Sequence, residues 1–315
     1  MTAPPFDLAP LLARYGSAHA QISVLQHVGD LVLKVETVGQ RYSLRVFTAG
    51  SDETRLKLEL AWLSALACDT ELNIPLPLSN LDGCLITHWT PPHETEARAC
   101  VLSNWIEGER ASRQMGIPSA KQLGHLTAQL HQHARHYPKL WQHYTGQRWD
   151  AERFYGPNSW WSRQAPRDLG EHHQTLIPAV SALKAALARL GEKPEHFGLI
   201  HADLHFGNLI SGPLGLGVID FAEAAPGYFA FDLALTAGEL MDYPEGEQYV
   251  ESFYAAYQQA AAPYTGALNE VKVFKVATGL AFLAWVYGLP EGPKRQDKLR
   301  WVPNLISKLR DFGNS

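Results

Sequence analysis

A chain of 315 residues, 46% hydrophobic and 19% charged, has enough apolar material for a substantial core without disulfides or structural metal. Its net charge of −5 is mild and dispersed, with no basic run suited to nucleic acid or an anionic membrane, so neither partner is expected. Cys68, Cys84 and Cys100 lie in apolar contexts without C-x-x-C spacing and read as buried, reduced thiols, which points to a cytoplasmic protein.

The N-terminal "MTAPPFDLAPLLARYG" has neither the basic nor the long apolar region of a secretory signal. The runs "ISVLQH" (22–27), "LVLKVET" (31–37) and "YSLRVF" (42–47), separated by "VGD" and "VGQ", predict antiparallel strands. "SDETRLKLELAWLSALA" (51–67) then spaces Leu56, Leu60, Leu63 and Ala67 as a helix, after a Ser-Asp start suited to an N-cap. Strands are expected again at "CLITHW" (84–89) and "ACVLSNW" (99–105).

From about residue 106 the pattern turns helical. Ser119 and Gln122 fit a capping box at the head of "KQLGHLTAQLHQHA". "TLIPAVSALKAALARLG" (175–191) spaces Ile177, Val180, Leu183, Leu187 and Leu190 along one face and stops at Gly191. "GPLG" (212–215) joins two short strands, and helices are expected around 232–262, 268–288 and 297–311. The apolar run 276–289 is shorter than the roughly 18 residues of a membrane span and reads as a core helix. The expected division is a strand-rich lobe, residues 1–103, and a helical lobe, residues 104–315.

The chemistry concentrates in "LIHADLHFGNLI" (199–210) and "GVIDFAE" (217–223). His201, Asp203 and Asn208 fit H-x-D-x-x-x-x-N; Asn208 enters the first strand of the hairpin and Asp220 leaves the second. An antiparallel pair brings those ends together, so an amide oxygen and a carboxylate can share Mg²⁺, a cation that prefers oxygen ligands. Asp203, on the preceding loop, is then placed to take a proton from an attacking hydroxyl.

"HADLHFGN", "VIDF" and "FDLA" (231–234) together resemble the aminoglycoside phosphotransferase superfamily, which includes choline kinase-like and type II homoserine kinase-like enzymes. The resemblance implies an α+β, two-lobed, protein-kinase-like fold: a small antiparallel sheet with one main helix, and a larger, mainly helical lobe. It implies a small-molecule kinase that moves phosphate from ATP or GTP to a hydroxyl with Mg²⁺. Within that pattern Asp203 is the base with His201 supporting its loop, and Asn208 and Asp220 are the metal ligands. Arg45, in an "LRV" frequent in this superfamily, stands where the kinase pattern has Lys, braced by Glu59, and its guanidinium can still grip phosphate. Gly29 is the only glycine of a reduced phosphate loop. Asn104, Trp105 and Ile106 occupy the segment whose backbone would meet a purine. Asp232 would tether the catalytic loop.

Acceptor recognition is expected in the helical lobe. Trp160 and Trp161, with Trp149 and Tyr155, offer aromatic walls, and His205, Glu223 and Asp242 offer polar contacts. Scattered acids favour a small metabolite such as an amino alcohol, amino acid or sugar derivative over a polycation. Two other readings remain at this point. One is a nucleotide-binding regulator of the same fold with weak catalysis. The other is a hydrolase whose metal is held by His201, Asp203, His205 and Asp220.

Overall fold

The computed structural model describes residues 4–111 and 116–313. The chain forms two compact units, residues 1–110 with 209–219, and residues 111–208 with 220–315. The division thus follows contacts across a chain that leaves the first unit and later returns to it for one hairpin.

The first unit opens with a short helix, α1 (Ala9–Ala13), that the sequence pattern does not announce. Strands β1 (Gln21–Val28), β2 (Asp30–Thr37) and β3 (Gln40–Val46) follow as antiparallel neighbours, as expected from their alternation. Helix α2 (Glu53–Asp69) is capped by Asp52, whose Oδ1 accepts from the Thr54 N–H at 2.9 Å. Next come β4 (Pro77–Leu78), β5 (Thr87–Trp89), β6 (Arg98–Asn104) and β7 (Glu109–Arg110). Strand β6 pairs with β3, β4 and β5, completing one antiparallel sheet.

Period-2 alternation decides the faces of this sheet. Leu31, Leu33, Val35, Leu44 and Val46 pack with Leu8, Leu11 and Leu12 of the α1 region. Phe47, Ala99 and Val101 instead pack with Leu56 and Leu60 of α2. Arg45 lies between the inward-facing Leu44 and Val46, so strand parity turns it toward α2.

Strand 84–89 is shorter than expected. The Asn80 side-chain oxygen accepts from the Asp82 and Cys84 N–H groups at 3.0 and 2.9 Å, so these residues form a turn and only Thr87–Trp89 joins the sheet. Cys100 is buried, but Cys68 and Cys84 are exposed, against the expectation for all three.

In the second unit, α3 (Ile117–His136) starts at Gly116, not at a Ser119 capping box. Pro118 occupies the first turn, where its missing N–H costs nothing, and Ser119 lies inside the helix. Short helices α4 (Ala151–Tyr155), α5 (Trp160–Arg163) and α6 (Ala165–Leu169) lead to α7 (Glu171–Leu190), which ends at Gly191 as expected. Ile177 is exposed, although its spacing had placed it on the buried face.

Strand β8 (Phe197–Ile200) precedes the loop that carries His201, Asp203 and Asn208. The hairpin β9 (Leu209–Gly212) and β10 (Gly215–Val218) then pairs with β7 in the first unit. Strand β11 (Ala225–Tyr228) returns alongside β8. The expected helix 232–262 is two, α8 (Phe229–Leu240) and α9 (Gly246–Ala261), and Gly124 of α3 lets α9 approach closely. A Cβ at position 124 would lie 2.3 Å from the Phe253 carbonyl oxygen.

Helix α10 (Gly266–Gly288) is longer than its apolar run suggested. Its 23 residues meet the length and composition of a membrane span, yet it packs against α7 and α8 and buries Phe274, Leu280 and Leu283. Helices α11 (Pro293–Leu299) and α12 (Val302–Gly313) close the chain.

Candidate active site

The loop of residues 201–208 is held by one buried carboxylate. Asp232, fully enclosed at the head of α8, accepts from the His201 N–H at 2.9 Å and the Ala202 N–H at 2.7 Å. Its Oδ2 also lies 3.3 Å from His131 Nε2 on α3, and His131 Nδ1 meets the Tyr257 hydroxyl at 3.0 Å. Burial keeps His131 below the usual histidine range despite the carboxylate. His201 is itself fully buried, packs on Phe221, and accepts the Asp203 N–H at Nδ1. Thr236 Oγ1 donates to the Leu204 carbonyl at 2.8 Å, so α8 fixes the loop at a second point.

Above this foundation Asp203 is partly exposed. Asn208 Nδ2 donates to its Oδ2 at 2.8 Å and to its carbonyl at 2.9 Å. Two acceptors on one side of the amide fix its orientation, so Asn208 Oδ1 faces the other way, with no hydrogen bond among the described residues. The hairpin register pairs Leu209 with Val218, which sets Asn208 and Asp220 at adjoining strand ends. Asp220 is exposed and holds φ +65°, and its carboxylate makes no hydrogen bond or ion pair among the described residues. One amide oxygen and one carboxylate thus stand open, a donor set that fits Mg²⁺ completed by phosphate and water.

The hydrolase arrangement does not form. His201 is spent inside the loop and His205 Nδ1 accepts the Gly207 N–H at 2.9 Å. Among the described residues no group of three or more His, Cys, Asp and Glu is gathered to hold a metal ion.

In the first unit Arg45 Nη2 meets Glu59 Oε1 and Oε2 at 2.8 and 2.6 Å, and its guanidinium lies 4.3 Å over the Phe47 ring. Both side chains are largely buried, at 16% and 7% exposure, so the pair is desolvated and geometrically fixed. Gly29 turns between β1 and β2 at φ +78°. Asn104 uses its backbone N–H on the Leu76 carbonyl and its side-chain oxygen on the Leu76 N–H. Trp105 lies under Lys34, and Ile106 is buried.

The residues expected to meet the acceptor separate into two groups within the second unit. Trp160 and Trp161 line a cavity of about 240 Å³ with Arg153, Phe154, Leu280 and Trp285. Glu223 does not line it but lies 3.9 Å from Arg153, and its carbonyl accepts from Trp149 Nε1. Trp149 is a core residue stacked on Phe231 rather than a wall of that cavity. His205 and Asp242 belong elsewhere, beside the catalytic loop and at the end of α8. There Glu239, which the sequence reading passed over, has its pKa raised by desolvation and by Asp242 and Asp203, with His205 opposing. A larger cavity of about 480 Å³, lined by Asp168, His172, Tyr287, Ile306 and Arg310, contains no catalytic-loop residue.

Residues 23–271 match the model of the phosphotransferase enzyme family. The chain belongs to that family. It is a small-molecule kinase. Amicoumacin kinase of Bacillus subtilis (strain 168) is 22% identical over 239 residues, 75% of this chain and 68% of that protein. A microcompartment-associated aminopropanol kinase shares the phosphotransferase fold at a TM-score of 0.77 and 23% identity, covering 97% of this chain and 94% of its own. An amicoumacin kinase in complex with AMP-PNP, Ca²⁺ and Ami matches at 0.73 and 17%, covering 96% and 92%.

Proposed function

We propose that this phosphotransferase moves the γ-phosphoryl group of ATP to the hydroxyl of a small amino alcohol or related metabolite, with Asp203 as the base. One observation carries the reading. A partly exposed carboxylate on a tethered loop stands beside an amide oxygen and a second carboxylate, neither engaged in a hydrogen bond or ion pair among the described residues. Asn208 and Asp220 would hold Mg²⁺, which when bound neutralises charge on the nucleotide phosphates. Arg45, braced by Glu59, anchors the phosphates as a fixed cation. Asp203 orients the acceptor hydroxyl and takes its proton as the new O–P bond forms and ADP departs. The amino-alcohol class takes its support from the aminopropanol kinase likeness and from the acids Glu239 and Asp242 near the loop.

Calorimetric titration with ATP and with GTP, each with and without Mg²⁺, tests the donor site. Mg²⁺-dependent binding of one nucleotide is expected. An acceptor panel led by 1-amino-2-propanol and hydroxyl amino acids then tests the class. Absence of nucleotide binding under every condition overturns the assignment of donor residues.

A further inference from the structure

We infer that His205 is the positioning residue that decides which oxygen of Asp203 acts as the base. The inference rests on the assignment of Asp203 as base and adds its atomic choice. A backbone N–H can only donate, so the Gly207 N–H at 2.9 Å requires a bare lone pair on His205 Nδ1. The single proton of the neutral ring then sits on Nε2. That nitrogen lies 3.6 Å from Asp203 Oδ2, the oxygen already accepting from Asn208 Nδ2. A small ring movement on substrate binding closes 3.6 Å to a hydrogen bond, as contacts at resting sites commonly tighten.

Two donors on Oδ2 leave Oδ1 as the oxygen with unshared lone pairs, and Oδ1 has no hydrogen-bond partner among the described residues. The hydroxyl proton therefore passes to Oδ1, while Oδ2 anchors the carboxylate plane. Position 207 is part of the same device. A Cβ there would fall 2.5 Å from His205 Cε1 and 2.8 Å from Nδ1, so only glycine admits the ring in this place. The sequence offers His205 as a polar contact for the acceptor; the tautomer becomes readable only from the Gly207 contact.

Two substitutions separate the ring's two bonds. His205→Asn keeps an acceptor for the Gly207 N–H but loses the donor toward Asp203; His205→Gln supplies a donor at the Nε2 place and loses the acceptor. ADP formation from ATP is followed with 1-amino-2-propanol and with water alone as acceptor. The expected result is a fall in kcat of about tenfold or more for Asn, unchanged nucleotide affinity, and a much smaller loss for Gln. In an Asp203→Asn background, adding His205→Asn should cost nothing further. Imidazole ¹⁵N shifts, assigned by difference with the Asn variant, should show Nε2 protonated and Nδ1 bare. A Nδ1-protonated ring overturns the inference, as does an Asn variant at wild-type rate or a Gln variant as impaired as Asn. If instead Asp203→Asn alone retains turnover, the base assignment itself has failed, an outcome distinct from these.

Discussion

Asp232 Oδ1 accepts the N–H of Ala202 at 2.7 Å, and Ala202 is held at φ +62°, a left-handed conformation that a side chain adopts at a cost. Its neighbour Asp203 can project from the loop because that strained turn is fixed by a fully buried carboxylate. The same Asp232 also accepts from His201 and faces His131, so it must be a group that only accepts.

Asp232→Asn places an amide NH₂ against at least one of these N–H donors. Hydrogen bonds to charged groups contribute about 1.5–3 kcal/mol each, so a stability loss of about 2 kcal/mol or more is expected, with lower kcat. Ala202→Gly removes the strain of about 1–2 kcal/mol but adds unfolded-state entropy, leaving stability nearly unchanged. Denaturant titration of both variants checks the contrast; equal midpoints would refute it.

Asp203→Asn removes the proposed proton acceptor while preserving shape. General-base catalysis contributes about 10²–10⁴-fold, and a loss in kcat of that order is expected with nucleotide affinity near normal. Steady-state kinetics and nucleotide titration on the same preparation decide it.

Arg45→Lys exchanges a planar guanidinium, whose Nη2 meets both oxygens of Glu59, for a compact ammonium on a flexible stem. Loss of one charge-assisted bond at about 1.5–3 kcal/mol predicts roughly ten- to a hundredfold lower kcat/KM for ATP, and an unchanged acceptor KM. A fall in acceptor affinity instead would move Arg45 out of the donor site.

These groups differ in how visible they were beforehand. Asp203, Asn208 and Asp220 could be read because one loop and one tight hairpin fix their spacing, and Arg45 because strand alternation turns it toward the helix carrying Glu59. His131 and Tyr257 are 126 positions apart, and His131 and Asp232 are 101 apart. No local period encodes such meetings; they follow from the packing of α3 on α8 and α9. Arg153 and Glu239 escaped for a related reason, since Arg153 meets Glu223, and Glu239 meets His205 and Asp203, only across long stretches of sequence. The false capping box at Ser119 had the reverse cause, a correct local motif overridden by Pro118 one residue earlier.

Buried His131 gives stability a pH dependence. Burial depresses its folded pKa, whereas the unfolded chain takes up a proton near pH 6.5. Below that pH the unfolded state binds more protons, so stability is full above about 6.5 and falls with acidification. His131→Gln, which keeps a donor toward Asp232, should flatten this fall between pH 7 and 5. Denaturant midpoints at several pH values measure it, and an identical slope in both proteins would assign the acid sensitivity elsewhere.

The cysteines should divide by reactivity. Cys100 is buried in the sheet core and its thiol is pushed up to about 12, chiefly by desolvation, so almost no thiolate forms near neutrality. Cys68 and Cys84 are exposed. Iodoacetamide at pH 8 should modify those two in the native protein and reach Cys100 only on unfolding. Peptide mass mapping reads the outcome. Early labelling of Cys100 would mean that the sheet opens far more readily than its packing against Leu8, Leu11 and Leu12 allows.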